Sequence, residues 1–167
     1  MIELQNVCKR YRVKNGWHTV LDNVNLRFEE GKSMGILGVN GAGKSTMIRI
    51  IGGAEQPDSG RVIRTSRVSW PIGFSGCFHG SLTGRENLRF VSRVYGADIR
   101  KVTDYVEDFA ELGDYMDMPI NTYSSGMRSK LAFGLSMAIG FDFYLIDEAY
   151  SVGDAAFKKK ADRALKE

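Results

Sequence analysis

The stretch SMGILGVNGAGKSTMIRII, residues 33–51, joins a short apolar run to a glycine-rich segment and then to a second apolar run. Its centre, residues 38–46, fits the pattern of a glycine, four residues of any type, and then Gly-Lys-Ser/Thr. This pattern is typical of a phosphate-binding loop that lies between a strand and a helix. The apolar residues of 33–37 predict the strand, and the apolar spacing in 47–51 predicts the helix. The stretch therefore predicts an α/β unit whose loop binds phosphate.

The chemistry of this loop follows from its residue types. Glycines let successive backbone N–H groups turn inward around phosphate oxygens, and the positive end of the following helix favours an anion. In this arrangement Lys44 reaches the β- and γ-phosphates of a nucleotide, which makes it a candidate catalytic residue, and the Ser45 hydroxyl ligates Mg²⁺. The candidate nucleotide-binding residues of the loop are Gly38, Asn40, Gly41, Ala42, Gly43, Lys44, Ser45 and Thr46.

A second motif, FYLIDE over residues 143–148, ends an apolar run in two adjacent carboxylates. Two acids at a strand end are by themselves typical of a solvated surface, but the phosphate loop upstream favours a catalytic interpretation. Phosphoryl transfer needs charge neutralisation on the phosphate oxygens and a positioned water. Asp147 is therefore a candidate Mg²⁺ ligand, and Glu148 is the candidate base for the attacking water. Together the two motifs predict a P-loop NTPase core.

Length and composition limit the classes of protein to which the chain can belong. At 167 residues the chain has the size of one globular domain, and it is 43% hydrophobic and 26% charged. The net charge of +3 is too small to favour nucleic acid as a partner. The longest uncharged stretch, residues 131–141, is about half of the roughly 20 residues needed to span a bilayer. A membrane-spanning protein and a nucleic-acid-binding protein are therefore disfavoured.

The N-terminal part of the chain has the patterns of β-strands. Apolar and polar residues alternate at residues 2–7 and 24–28, which predicts strands with one buried face. Two further short strands are predicted at residues 62–63 and 68–70. The fold class that these patterns predict is α/β, with an N-terminal antiparallel β subdomain beside the P-loop NTPase core.

The following region has the patterns of helices. Thr83 stands three residues before Glu86, which is the spacing of a capping box. Apolar residues then follow at helical intervals as far as residue 139, with Ser124 or Ser125 as the cap of the last helix in this region. The sequence therefore predicts an inserted α-helical subdomain over residues 81–140.

The segment YSSGMRSKL, residues 123–131, puts small residues at a helix start, where N–H groups and serine hydroxyls can face an anion. Together with the phosphate loop and the acidic strand, it resembles the nucleotide-binding domain of ATP-binding-cassette proteins. In that family a Ser-Gly-Gly signature lies between the other two motifs. The resemblance implies that Ser124 and Gly126 meet the γ-phosphate, and that Ser125 stands where the family has a glycine.

This resemblance covers nearly the whole chain and implies further site residues. Tyr11 lies where the family stacks an aromatic ring on adenine; the alternative is a strand aromatic that packs on its neighbour, with Trp17 as the substitute for stacking. Asp154 belongs to a segment that looks like the loop crossing the dimer interface after Glu148. Because the family signature acts on ATP held by the opposite subunit, the resemblance implies a homodimer that binds ATP and Mg²⁺ in two composite sites.

Several segments narrow the resemblance. SWPIGFSG, GSLTGRENLRF and ELGDYMDMPI make the chain similar to the ATPase subunits of bacterial capsular-polysaccharide exporters, with O-antigen and teichoic-acid exporters as near relatives. This implies a peripheral protein on the cytoplasmic face of the inner membrane, bound to an integral-membrane permease near residues 70–88. The glycan substrate is then not bound directly, and no nucleic acid is expected. The alternative within the family is a nucleotide-binding module without turnover.

Two departures from the family pattern concern catalysis. The family has a glutamine that senses Mg²⁺, and here His79 stands in its place, either as a replacement or as an exposed loop histidine. The family also has a histidine at the γ-phosphate, one helix and one strand beyond Asp154, and no residue of this chain matches it. We therefore expect residues 1–167 to be a single nucleotide-binding domain that is part of a longer reading frame, with its core over residues 1–80 and 141–167. The alternative is a natural truncation with reduced turnover.

Overall fold

The computed structural model describes residues 1–72, 75–146 and 155–165 of the chain. Contacts between residues divide the chain into two compact units. The β unit consists of Met1–Pro71 and Phe141–Asp147, and the helical unit consists of Ile72–Gly140 and Glu148–Glu167.

The β unit contains the antiparallel sheet that the sequence predicts. Its strands are β1 (Ile2–Val13), β2 (Gly16–Phe28) and β3 (Ser59–Arg64), in the order β2-β1-β3. Alternation along β1 buries Ile2 and Leu4 almost completely, and Val7 is buried after a shift in the strand register beyond Leu4. The alternation predicted for β2 is only partly present, because Leu26 remains 37% exposed on a strand at the edge of the sheet. The fold class predicted from the sequence is confirmed.

A helix and a small parallel sheet complete the β unit. The helix α1 (Lys44–Ile51) begins directly after the phosphate loop, as predicted. The strands β4 (Val68–Pro71) and β5 (Phe143–Leu145) pair in parallel. The buried side chains of Met47, Ile50 and Ile51 join the core formed by β1 and β2. This packing holds α1 against the antiparallel sheet.

The segment before the phosphate loop differs from its prediction. The sequence predicts a strand at residues 33–37, but residues 32–39 have no regular secondary structure, and Leu37 is 95% exposed. A strand needs a neighbour that pairs with its backbone N–H and C=O groups. Within the described ranges, no strand pairs with residues 33–37. The prediction is wrong because apolar composition alone does not supply such a partner.

In the parts of the helical unit that the structure describes, there are four α-helices and three short 3₁₀ turns. The α-helices are α2 (Gly84–Tyr95), α3 (Ile99–Ala110), α4 (Ser125–Ile139) and α5 (Ala155–Ala164). The 3₁₀ turns are Ser75–Cys77, Gly113–Asp117 and Ile120–Thr122. Phe109 of α3 stacks on Phe133 of α4 with ring centroids 5.4 Å apart, and Phe157 of α5 meets Phe109 edge-on at 5.4 Å. No helix among the described residues has the length and apolar character needed to cross a bilayer.

Candidate nucleotide site

The phosphate loop is a turn closed by its own backbone. The Ala42 N–H donates to the Val39 carbonyl at 3.1 Å. Gly41 and Gly43 have φ angles of +84° and +91°, which glycine adopts at little cost and other residues rarely adopt. The loop is open to solvent; its exposed candidate residues are Gly38, Asn40, Gly41 and Ala42.

Gly43 is also required for packing. A Cβ atom at this position would lie 2.5 Å from Val20 Cγ1 and 2.9 Å from the Val20 carbonyl oxygen. Real Cβ atoms essentially never come this close to backbone oxygen, and the oxygen belongs to strand β2, which cannot shift without disturbing the sheet. The backbone of Gly43 therefore packs directly against strand β2 of the antiparallel sheet. This contact fixes where α1 begins.

The start of α1 is suited to bind an anion. Gly43 is its N-cap and gives no side-chain hydrogen bond, and the first turn carries no acidic residue. The amides of a first helical turn have no partner within the helix, so at this end they can donate to a ligand. Lys44 lies over the loop, with its Nζ donating to the Gly38 carbonyl at 2.6 Å. The Lys44 ammonium group and the first-turn amides of α1 therefore both place positive charge at the phosphate loop.

The opposite end of α1 is neutralised by an arginine. Arg64 of β3 donates from Nε to the Ile51 carbonyl at 2.7 Å, and from Nη2 to the Ile50 carbonyl. A cation at a helix C-terminus interacts favourably with the helix dipole and satisfies its last carbonyls. Arg64 thus stabilises a helix whose N-cap residue, Gly43, gives no side-chain hydrogen bond.

The two hydroxyl residues after Lys44 have different surroundings. Ser45 is exposed in the first turn of α1 and is open to a ligand. Thr46 is only 6% exposed, and its Oγ1 lies 3.3 Å from the Tyr11 hydroxyl and 3.2 Å from Arg49 Nη2. The Ser45 hydroxyl can therefore serve as a metal ligand, whereas the Thr46 hydroxyl is engaged inside the protein.

Tyr11, the candidate for adenine stacking, is joined to the phosphate loop through this contact. Its hydroxyl donates to Glu55 Oε1 at 2.7 Å. This hydrogen bond is the largest cause that lowers the pKa of Glu55, ahead of its contacts with Arg49 and Lys9. The substitute candidate, Trp17, is 60% exposed, and the guanidinium of Arg10 covers its ring at 4.7 Å. Of the two aromatic residues, only Tyr11 contacts a residue of the loop through a described hydrogen bond.

The signature residues lie in the helical unit at the start of α4. Of the two serines predicted as candidates for the cap, Ser124 is the N-cap, and its Oγ accepts from the Met127 N–H at 3.2 Å. Ser124 and Ser125 are exposed. An added Cβ at Gly126 would meet nothing closer than Ser124 Oγ at 3.9 Å, so the packing of this chain does not require glycine there. The exposed start of α4 is therefore accessible to a ligand from outside the chain.

His79 lies in a loop whose backbone is held by a buried asparagine. Its N–H donates to Asn87 Oδ1 at 2.8 Å, and Asn87 Nδ2 approaches the carbonyls of His79, Leu82 and Thr83 at 2.9–3.2 Å. Asn87 is completely buried, while His79 is exposed. The structure therefore fixes the backbone at His79 and leaves its side chain accessible.

The acidic candidates Asp147, Glu148 and Asp154 lie outside the described residues. The strand that leads to the first two is described, and it is held in place by a buried serine: Leu145 N–H donates to Ser69 Oγ at 2.9 Å. Within the described ranges, no three His, Cys, Asp or Glu side chains form a group that could hold a metal. A magnesium ion bound with a nucleotide does not need such a group, because it takes one or two protein ligands together with phosphate oxygens and water.

Three residues that contribute to the site were not predicted from the sequence. They are Arg49, Glu55 and Asn87. Glu55 lies 44 residues from Tyr11 in the sequence, so no spacing rule connects the two. Asn87 had a local signal, because an asparagine among the apolar residues of a predicted helix needs hydrogen-bond partners when it is buried.

Comparisons with known proteins identify the family. The sequence model described as ABC transporter matches residues 21–151. The polysialic acid transport ATP-binding protein KpsT of Escherichia coli is 57% identical over 96% of this chain and 74% of its own length. The capsule polysaccharide export ATP-binding protein CtrD of Neisseria meningitidis serogroup B is 52% identical over 99% of this chain and 76% of its own length.

A solved structure gives the same result for the fold. A dimeric ATP-binding cassette in a post-hydrolysis state, bound to ADP and Pi, superposes with a TM-score of 0.81 at 27% identity. The match covers 99% of this chain and 82% of that chain. The family expected from the motifs is therefore confirmed. The chain belongs to the ABC transporter family and carries its ATP-binding domain.

Proposed function

We propose that this chain is the ATP-hydrolysing subunit of a bacterial exporter of capsular polysaccharide. ATPase activity follows from the family to which the chain belongs. The cargo rests on one observation: identity of 52–57% with relatives named for polysialic acid transport and capsule polysaccharide export extends over 96–99% of the chain. We propose that the subunit acts at the cytoplasmic face of the inner membrane, on a permease that carries the glycan. We propose that the subunit does not contact the glycan directly and does not bind nucleic acid.

The described geometry of the phosphate loop supports nucleotide binding. The α1 start offers backbone donors, and Gly41 and Gly43 keep the loop backbone clear of side chains. Lys44 now donates to the Gly38 carbonyl, and we propose that it transfers this hydrogen bond to the β- and γ-phosphates of ATP. Gly38, Asn40, Ala42 and Thr46 contribute backbone contacts.

The residues at the phosphate loop are suited to hold Mg²⁺. Ser45 supplies a hard hydroxyl oxygen that is exposed beside Lys44, and we propose Asp147 as the second protein ligand. When bound, Mg²⁺ neutralises charge on the phosphate oxygens during transfer. We propose that Glu148 orients the attacking water and accepts its proton. His79 is retained as a weaker candidate for a hydrogen bond to the reacting group.

The signature residues act on a second copy of the chain in this proposal. The exposed Ser124 and Ser125, together with Gly126, support contact with a nucleotide held by the partner subunit, and Asp154 is assigned to the same interface. The relative that superposes with a TM-score of 0.81 is itself a dimer, which supports a homodimer here. Residues 1–167 then form one nucleotide-binding domain, with residues 81–140 as its helical part.

Phosphate release from Mg-ATP tests the ATPase assignment. We expect Lys44→Ala to lower turnover by about 100-fold or more, since it removes the cation that stabilises the transferred phosphoryl group. Lys32→Ala is the matched control, because Lys32 is exposed and pairs only with Glu29 among the described contacts. Equal turnover in the wild type and Lys44→Ala would contradict the assignment of the loop.

The dimer is tested with a variant that binds but does not hydrolyse. Glu148→Gln should retain ATP binding, lose turnover and accumulate as an ATP-bound dimer, which light scattering after size exclusion would detect. A protein that only binds nucleotide would show the same mass with and without this substitution. A dimer that never forms with Mg-ATP would exclude the shared site.

The cargo is tested in cells. The gene for this subunit should restore surface capsule to bacteria that lack their own capsule-export ATPase, and the Lys44→Ala gene should not. The parallel test uses bacteria that lack an O-antigen or teichoic-acid exporter. Rescue there, without rescue of capsule, would assign the subunit to the other class of exporter.

A further inference from the structure

A group of polar side chains joins strand β1, helix α1 and the loop that follows α1. At its centre is the carboxylate of Glu55. The Tyr11 hydroxyl donates to Glu55 Oε1 at 2.7 Å, Arg49 Nε donates to Oε2 at 3.1 Å, and Lys9 Nζ lies 3.3 Å from Oε1. Glu55 and Lys9 are mostly buried, with side chains 20% and 13% exposed. The Glu55 carboxylate therefore interacts with three donor groups, two on strand β1 and one on helix α1.

The same group extends to the phosphate loop. Arg49 Nη2 lies 3.3 Å from the Tyr11 hydroxyl and 3.2 Å from Thr46 Oγ1, and the two hydroxyls are 3.3 Å apart. Thr46 is the last residue of the phosphate-loop motif. The hydroxyl end of Tyr11 is thus anchored at three points, and one of them is in the loop itself.

We infer that Glu55 and Arg49 are positioning residues that hold the Tyr11 ring for the nucleotide base and connect it to Thr46 of the phosphate loop. This inference rests on the proposed function, in which Tyr11 meets adenine. A tyrosine side chain has two rotatable bonds, and anchoring its hydroxyl fixes both of them. A ring that is already fixed loses less conformational freedom when a base stacks on it, so binding is stronger.

The two faces of the Tyr11 ring have different surroundings. Lys9 Nζ lies over the Tyr11 ring, 5.6 Å from its centroid. A base that stacks on Tyr11 would therefore meet the face that Lys9 does not cover. The hydrogen bond from Tyr11 lowers the pKa of Glu55, which keeps this carboxylate charged as an acceptor at neutral pH. The group therefore orients the ring through its hydroxyl and covers one of its faces.

The experiment compares a ligand that has a base with one that lacks it. The affinities of the protein for Mg-ATP and for magnesium tripolyphosphate are measured for the wild type, Tyr11→Phe, Glu55→Gln and the double variant. Tyr11→Phe keeps the ring and removes only the hydroxyl anchor. We expect each single variant to weaken ATP binding by about threefold to tenfold and to leave tripolyphosphate binding within about twofold. The double variant should be no weaker than the worse single variant, because both act on the same hydrogen bond: Tyr11→Phe deletes its donor, and Glu55→Gln replaces its charged acceptor by a neutral amide.

Two controls separate the possible outcomes. Glu29→Gln removes one glutamate charge from the same unit, at an exposed residue that pairs with Lys32, and should leave both affinities unchanged. Tyr11→Ala removes the ring itself. If Tyr11→Ala does not weaken ATP binding, the proposed adenine contact fails. If Tyr11→Ala weakens ATP binding but Tyr11→Phe and Glu55→Gln do not, the contact stands and the positioning role is overturned.

A purely structural role would give a third pattern. Equal losses for ATP and tripolyphosphate would mean that the group only supports the loop, and would overturn the inference. If Glu55→Gln fails to fold, Tyr11→Phe still tests the inference, because it deletes a single oxygen from the same hydrogen bond.

Discussion

The first turns of α1 and α2 are built in opposite ways. At α2, Thr83 Oγ1 accepts from the Glu86 N–H at 3.1 Å, and Glu86 Oε2 accepts from the Thr83 N–H at 2.8 Å. At α1, the cap is Gly43 in a left-handed conformation, with no side-chain hydrogen bond and no acidic residue in the first turn. The start of α2 is satisfied by side chains of the helix itself, whereas the start of α1 has no such side-chain partner and can donate to an anionic ligand.

The difference shows how an unsatisfied helix start can be tolerated. α1 gains stability elsewhere, because its side chains at Met47, Ile50 and Ile51 are buried and Arg64 binds its last carbonyls. Its first turn can then lack a side-chain cap without unfolding the helix. In α2 the first turn contributes to stability directly. We therefore expect changes at the start of α1 to affect ligand binding, and changes at the start of α2 to affect stability alone.

The largest expected effect is at the cap of α1. Gly43→Ala would put a Cβ 2.5 Å from Val20 Cγ1 at a residue with φ of +91°, so both packing and backbone oppose it. We expect a loss of about 3 kcal/mol or more in unfolding free energy, together with loss of ATP binding. Urea unfolding and ATP titration measure the two effects.

The matched control for this prediction is the C-cap of α2. Gly96 has φ of +65°, and a Cβ there would meet nothing within 4 Å. Gly96→Ala should cost only about 1 kcal/mol from backbone conformation and should leave ATP affinity unchanged. Equal stability losses at the two glycines would show that contact with β2 does not define the start of α1.

The features that could be predicted from the sequence are those set by near neighbours in the chain. The capping box depends on Thr83 and Glu86, three residues apart, and the structure contains both of its hydrogen bonds. The start of α1 at Lys44 follows from the phosphate-loop motif, and the cap at Ser124 follows from a serine before an apolar run. In each case the deciding contacts lie within one turn of helix.

The features that could not be predicted depend on distant parts of the chain. Residues 33–37 are as apolar as a strand, but pairing requires a partner that their own composition does not specify. The bond from Tyr11 to Glu55 joins residues 44 positions apart, and it gives Tyr11 a second interaction beside its expected role at the base. Sequence patterns therefore identify the loop but not the group of side chains that supports it.

A smaller effect is expected at the cap of α2. Thr83→Ala removes one side of the capping box and should lower the unfolding free energy by about 1 kcal/mol. ATP affinity should not change, in contrast to the effect of Gly43→Ala. Ser81→Ala, two residues earlier at an exposed position, should alter stability by less than about 0.5 kcal/mol. A loss of ATP binding in Thr83→Ala would contradict the division between the two helix starts.

The smallest expected effect is a pH dependence at the start of α2, which the start of α1 does not share because its first turn has no acidic residue. The hydrogen bond from the Thr83 N–H is the largest cause that lowers the pKa of Glu86 below its usual 4.5. Because the folded pKa is below the unfolded one, the stabilisation is complete above pH 4.5 and is lost as the pH falls through the folded pKa. Urea midpoints should therefore separate the wild type from Glu86→Gln at neutral pH and bring them together in acid. For Thr83→Ala the difference from the wild type should shrink only in part in acid. The Thr83 hydroxyl also lowers the pKa of Glu86, but the bond that it accepts from the Glu86 N–H does not depend on charge. A constant difference for Glu86→Gln would mean that the charge of Glu86 does not stabilise the start of α2.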